Sequence, residues 1–189
     1  GNALIKQLVA SIGCDNVIAS VRKRGQFVFD GVVTGNVGDI SATTVWHPLL
    51  ENIEIVVHCA ANDGSLSNKR KSQESDFMSL NYEGTVRLAQ QAAEAGVRRF
   101  VFLSSVKVNG EETDGKNKFT ADDVVAPRDF YGQTKYLAEE KLLKISHNTG
   151  LEVVILRPPV VYGDGVGGNF LTLIDWINRG LPLPLKSIN

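Results

Sequence analysis

Long apolar runs are missing from this 189-residue sequence. No stretch approaches the roughly 18–20 apolar residues that a bilayer-spanning helix needs, so no membrane partner is expected. No secretory leader is read either, because the chain opens directly on an amphipathic pattern. Cysteine is scarce: Cys14 and Cys59 are the only two, without paired spacing. That excludes a disulfide framework or a zinc site and fits a reducing, cytoplasmic setting. An excess of either charge is also lacking, with 20 basic residues against 21 acidic and a formal net of −1. Such a balance does not concentrate a chain on a polyanion, so nucleic acid is excluded as a main partner. The short basic clusters Arg22-Lys23-Arg24 and Lys69-Arg70-Lys71 read as solvated loops.

What is present is enough apolar material, 43% of residues, for one buried α/β core with part of another domain. Leu4, Ile5, Leu8, Val9 and Ile12 follow helical spacing up to Gly13. Residues 16–21 and 32–37 read as strands, and 43–50 as a short helix. The run 54–61 (EIVVHCAA) reads as a strand buried on both faces. A polar loop over 62–76 leads to a helix over 77–95, then a strand over 99–104. After a long polar loop come a helix over 131–146 and a strand over 152–157, ended by Pro158-Pro159. A glycine-rich loop at 163–168 precedes a last helix at about 169–179. Strands separated by helices form βαβ units, hence a parallel, doubly wound sheet of Rossmann type. Ligands of such sheets sit at the carboxyl ends of the strands. The positions to inspect are therefore Arg22, Asp39, Cys59 to Ala61, Ser104-Ser105 and Pro158.

The strongest chemical signal is Tyr131-Gly-Gln-Thr-Lys135 at a helix start. Spacing i,i+4 stacks both side chains on one face. A phenol with a pKa near 10 is a poor base at neutral pH, and a neighbouring ammonium favours its ionised form. The phenol can then take a proton from a hydroxyl or return one to a carbonyl. Alone, the same spacing also occurs in surface pairs. Ser104-Ser105, ending a buried strand, supplies a hydroxyl that can orient a reacting oxygen; the plainer reading is a serine satisfying turn backbone. Asn81-Tyr-Glu-Gly84-Thr85 places an amide and a glycine where helix and strand ends would meet.

In order along the chain, these segments resemble the extended short-chain dehydrogenase/reductase family, in its nucleotide-sugar epimerase and dehydratase branch. Gly1-Asn-Ala-Leu is similar to the tail of that family's glycine-rich turn, and Gly38-Asp39-Ile40 to its adenine-contacting segment. His58-Cys59-Ala60-Ala61 resembles the stretch lining the cofactor, and Asn81-x-x-Gly84-Thr85 the family's Asn-x-x-Gly-Thr. Phe102 to Gly110 resembles the strand and loop carrying the serine, here Ser105, and Arg157-Pro158 with Val161-Tyr-Gly163 resembles the entry to the substrate lobe. The resemblance implies Tyr131 as acid/base, Lys135 as its tuner and ribose ligand, and Ser105 as orienter of the sugar oxygen. It implies cofactor contacts at Gly1, Arg22, Asp39, Ile40, Cys59, Ala60, Ala61, Asn81, Ser104, Tyr131, Lys135 and Pro158. Substrate contacts are implied at Ser105, Lys107, Asn169 and Phe170, with a strand along the nucleobase at 181–185; a helix cap is the plainer reading of Asn169.

The activity so implied is 4-epimerisation of a nucleoside-diphosphate sugar, of UDP-glucose or UDP-N-acetylhexosamine type, with NAD. One-way reduction or dehydrogenation of a 4-keto or 4-hydroxy nucleotide sugar is the alternative, and a non-catalytic sensor or scaffold the second. A homodimer through the 77–95 and 131–146 helices is the family habit. Residues 1–160 are expected to be the nucleotide-binding domain without its first strand, and 161–189 the start of a smaller substrate lobe, so both ends read as cut. Arg22 stands where an acidic residue would hold the ribose 2′-hydroxyl; a guanidinium there suits a 2′-phosphate, which brings in NADP. Val106-Lys107 stands where 4,6-dehydratases carry Asp-Glu, and Lys107 and Asn109 depart from the small and aromatic residues of many epimerases.

Overall fold

A computed structural model describes residues 1–23, 25, 29–62, 74–113, 115, 118–163, 166 and 168–181. The chain begins with helix α1 (Asn2–Ile12), followed by strand β1 (Ile18–Val21) and strand β2 (Val33–Asn36). Helix α2 (His47–Leu50) is shorter than the 43–50 expected, because residues 41–44 form a turn held by Ser41 N–H donating to Thr44 Oγ1 at 2.9 Å. Strand β3 (Ile55–His58), helix α3 (Glu74–Phe77) and helix α4 (Thr85–Glu94) come next, then strand β4 (Arg99–Leu103). Helix α5 (Phe130–Thr149), strand β5 (Glu152–Leu156) and helix α6 (Gly168–Asn178) complete the order. The basic clusters fall partly or wholly outside the described residues: Arg24 and 69–71 are among the omitted positions.

All described strand pairings are parallel. β1 pairs with β2, and β3-β4-β5 form a second sheet in which His58 faces Phe102 and Leu103 faces Leu156. Parallel strands joined by helices make this the α/β arrangement expected. No described strand bridges β1 to β3, so two cores form. In the smaller, Val17, Ala19, Val21 and Val32 meet Ile5, Leu8 and Val9 of α1. In the larger, Phe100 and Phe102 lie fully buried beneath Leu88, Ala89 and Ala92 of α4 and Ala138 and Leu142 of α5. Burying each phenylalanine stabilises the fold by roughly 2–3 kcal/mol.

The reading of 54–61 as buried on both faces is not met. Ile55 and Val57 of β3 are 45% and 37% exposed, as are Val154 and Leu156 of β5 at 37% and 47%. The cause is topological: α4 and α5 both lie on the Phe100/Phe102 face, and α1 spends its apolar stripe on β1 and β2.

The helix expected over 77–95 is also not uniform. Met78–Gly84, between α3 and α4, winds as a π-helix. Wide turns of this kind recur at functional sites. Gly84 permits a close approach there: a Cβ would come within 2.3 Å of Ile40 Cγ2, so the Ile40 side chain would have to shift. No described helix is long and apolar enough to cross a membrane.

Candidate active site

The carboxyl ends of β3, β4 and β5 open at one edge, and α5 begins beside them. α5 starts where it does because Asp129, in extended conformation, caps it: Oδ1 accepts from Gly132 N–H at 2.6 Å. That fixes Tyr131 in the first turn and Lys135 one turn deeper. Lys135 is almost wholly buried, and its ammonium donates to the Leu103 carbonyl at 2.9 Å, the last residue of β4. The same ammonium lies 4.6 Å from the centroid of the Phe102 ring and 5.9 Å from that of Tyr131. Two aromatic faces and one carbonyl replace the water a lysine would have. Burial pulls its pKa down to about 8, opposed by Cys59 and Glu139.

Beneath Lys135 lies a buried polar layer. Glu139, one further turn along α5, takes Arg157 in a forked pair, with Nη2 at 2.6 Å and Nε at 3.1 Å. The same carboxylate accepts from the Ser104 hydroxyl. Arg157 also reaches Asn109 Oδ1 at 3.3 Å, tying the end of β5 to the loop after β4. Glu139 holds the Arg157 guanidinium above its usual pKa. Ser105, half-buried, accepts from the Lys107 amide at 3.2 Å, and Lys107 pairs with Asp129. The Pro158 carbonyl accepts from Val106 N–H at 3.1 Å.

His58, ending β3, is buried and stacked on Phe102 at 5.9 Å between centroids. Burial, and then Lys135, lower its pKa to about 3. Thr85 Oγ1 donates to the Asn81 carbonyl at 2.8 Å, so at the 2.9 Å contact His58 Nε2 is the donor. Asn81 is fully buried. Its amide accepts from Asn62 N–H at 2.8 Å, donates to Asn62 O at 2.9 Å and reaches Thr134 Oγ1 at 3.2 Å. Asn81 therefore stitches the segment after β3 to α5, one residue before Lys135. Its amide group is engaged by protein partners on both its oxygen and its nitrogen.

Other expected positions lie around this centre. Cys59 and Ala60 are half-buried and Ala61 exposed at the end of β3. Burial raises the Cys59 thiol pKa, opposed by the Gly1 ammonium and Lys135. Arg22 and Asp39 pair with each other on the surface beyond β1 and β2, and Ile40 packs toward Gly84. Phe170 stacks on Tyr162 at 5.3 Å between centroids. The Asn169 side chain and residues 182–189 lie outside the described residues, as do 63–73. Among described residues no group of three His, Cys, Asp or Glu could hold a metal ion.

Sequence reasoning passed over Asp129, Glu139, Asn62 and Thr134. Glu139 had a signal: it lies four residues past Lys135, so it shares that face of α5. Asp129 had one too, as a capping residue directly before a helical run.

The family model described as "NAD dependent epimerase/dehydratase family" matches residues 1–187. A UDP-glucose 4-epimerase from Vibrio cholerae is 40% identical over 188 residues, covering 100% of this chain and 56% of that protein. A solved structure of MoeE5 in complex with UDP-glucuronic acid and NAD superposes with a TM-score of 0.76 at 29% identity, covering 97% of this chain and 59% of its own. A UDP-glucuronic acid 4-epimerase from Bacillus cereus, in complex with NAD, gives 0.77 at 22% identity, a likeness of fold, with 97% and 61% covered. The chain thus spans somewhat more than half the length of these relatives.

Proposed function

Because the chain belongs to the NAD dependent epimerase/dehydratase family, we propose that it forms the cofactor side of a nucleoside-diphosphate-sugar 4-epimerase, using Tyr131, Lys135 and Ser105. The observation that carries this reading is the buried Lys135 ammonium, held between the Tyr131 ring and the strand end that leads into Ser104-Ser105. The relatives add the substrate class: one acts on UDP-glucose by name, and another was solved with UDP-glucuronic acid and NAD.

The donor set at this edge fits a dinucleotide. The first turn of α1 has no side-chain cap, so its amides are open to a phosphate. Backbone at Cys59, Ala60 and Ala61 lies at the strand end, and the basic Lys135 stands beside it. Ser104 and Pro158 line the same edge, with Arg22, Asp39 and Ile40 toward the adenosine end. When bound, NAD supplies reversible hydride acceptance. The protein's part is proton handling and placement. Tyr131, whose phenolate form the neighbouring Lys135 charge favours, takes the sugar hydroxyl proton and returns it. Ser105 orients the same oxygen, with Lys107 two residues beyond it in the same turn, while Asn169 and Phe170 are assigned to the sugar and diphosphate end. We take residues 1–160 as the cofactor-binding domain and 161–189 as the start of a substrate lobe.

A second reading, one-way reduction with NADP, rests on Arg22. A guanidinium at the end of β1 suits a 2′-phosphate, and its partner Asp39 is the group a phosphate would displace. The outer faces of α4 and α5 leave a groove with Gln90, Glu94, Lys141 and Ile145 on its walls, which supports a homodimer through these helices. The free thiols at Cys14 and Cys59 agree with work in the cytoplasm.

The test is product analysis with UDP-glucose and UDP-N-acetylglucosamine, each with NAD and with NADP. The 4-epimer should accumulate with no net change in cofactor. Stoichiometric cofactor consumption would transfer the assignment to the reductase reading.

A further inference from the structure

Lys107 sits in a short turn, Val106–Val108, two residues past Ser105. Two of its atoms, the carbonyl oxygen and the ammonium, face the start of α5, while its amide faces Ser105. Its amide donates to Ser105 Oγ at 3.2 Å. Its carbonyl oxygen lies 2.9 Å from where a Gly132 Cβ would be, so glycine lets the two segments touch. Its ammonium pairs with Asp129, with Glu111 Oε1 at 3.7 Å. Asp129 divides its two oxygens: Oδ1 caps α5 at Gly132, beside Tyr131, and Oδ2 receives Lys107. One lysine and one aspartate thus join the segment carrying the serine to the helix carrying the tyrosine.

We propose that the Lys107–Asp129 pair is a positioning device that sets the Ser105 hydroxyl in register with Tyr131, rather than a direct ligand of the sugar. This rests on the functional reading above. The two side chains are 43% and 35% exposed, so the pair adds little to folding stability. What it supplies is registry between two segments from different parts of the chain. An error of about 1 Å in such placement costs on the order of a hundredfold in rate.

Two substitutions isolate the charge pairing. Asp129→Asn keeps a good helix cap and removes the charge, while Lys107→Met keeps the apolar stem. In the full chain, each should lower kcat at least about tenfold, leaving the KM for UDP-sugar and the affinity for NAD within about twofold. The double variant should be no slower than the worse single, since both remove one interaction. Lys107→Arg should recover most of the loss. Amide exchange over residues 105–110 should quicken in both single variants, a readout independent of turnover. Unchanged exchange together with unchanged kcat would overturn the inference. So would losses confined to KM, which would make Lys107 a sugar ligand. Wild-type protein inert on every UDP-hexose would refute the epimerase reading, while the exchange measurement would still decide the tie between the two segments.

Discussion

The Lys135 ammonium stands 5.9 Å from the centre of the Tyr131 ring while donating to the Leu103 carbonyl at 2.9 Å. One charge therefore anchors helix α5 to the end of β4 and acts on the phenol at the site's mouth. Because the ammonium is buried, its proton is easier to lose than that of a solvated lysine, at about pH 8. The charge that favours the phenolate is present below that pH and disappears above it. kcat/KM is expected to fall above about pH 8, approaching tenfold per pH unit. Stability runs the other way: between about 8 and 10.5 the unfolded chain binds the extra proton, so folding gains as pH rises. A rate profile flat from pH 7 to 10 would contradict this role.

Acid should expose the neutral His58. Its folded pKa of about 3 lies below the ordinary 6.5, so the unfolded state takes up a proton that the folded state refuses. The stability it contributes is complete above 6.5 and declines as pH falls toward 3, by up to about 1.4 kcal/mol per pH unit. Urea titrations at pH 7.5, 5.5 and 4.5 should show this slope. His58→Gln should flatten it; an unaltered slope would mean that other groups dominate the acid limb.

Arg157→Leu should cost about 3–5 kcal/mol, because it leaves the Glu139 carboxylate buried without its counter-charge. Replacing both residues, Glu139→Leu with Arg157→Leu, should cost less than the single arginine change. Denaturant midpoints of the three proteins measure the difference. A double variant worse than Arg157→Leu would show that Glu139 acts chiefly on Ser104.

Asn81→Ala removes three contacts at once, including both hydrogen bonds to the Asn62 backbone. Each orphaned buried group costs roughly 1–3 kcal/mol. The thermal midpoint should drop accordingly, and NAD affinity with it, since the segment after β3 is released. Normal stability with weakened NAD binding would instead make Asn81 a direct cofactor contact.

The legible parts of the fold were those with strong periodicity. α1, β4 and β5 lie within a residue of their expected bounds, and α5 runs three residues further than expected, to Thr149; their apolar spacing and flanking glycines are local signals. The failures have non-local causes. Val57 carries no mark showing that α4 and α5 would both choose the opposite face of β3. The π-helical stretch at Met78–Gly84 ends at Gly84, where Ile40 comes close, a contact that spacing along one segment cannot reveal. In the site, Tyr131, Lys135 and Ser105 were readable as a motif. Their supports, Asp129 and Glu139, are ordinary acidic residues until the fold brings Lys107, Ser104 and Arg157 against them.

The most direct test is Tyr131→Phe, assayed for interconversion of UDP-glucose with its 4-epimer and, in parallel, for NAD binding. Removing only the phenolic oxygen should abolish nearly all turnover, by about 10²-fold or more, with dinucleotide affinity unchanged. Turnover retained in that variant would mean that the proton passes through another group, and the roles assigned to Lys135 and Ser105 would fall with it.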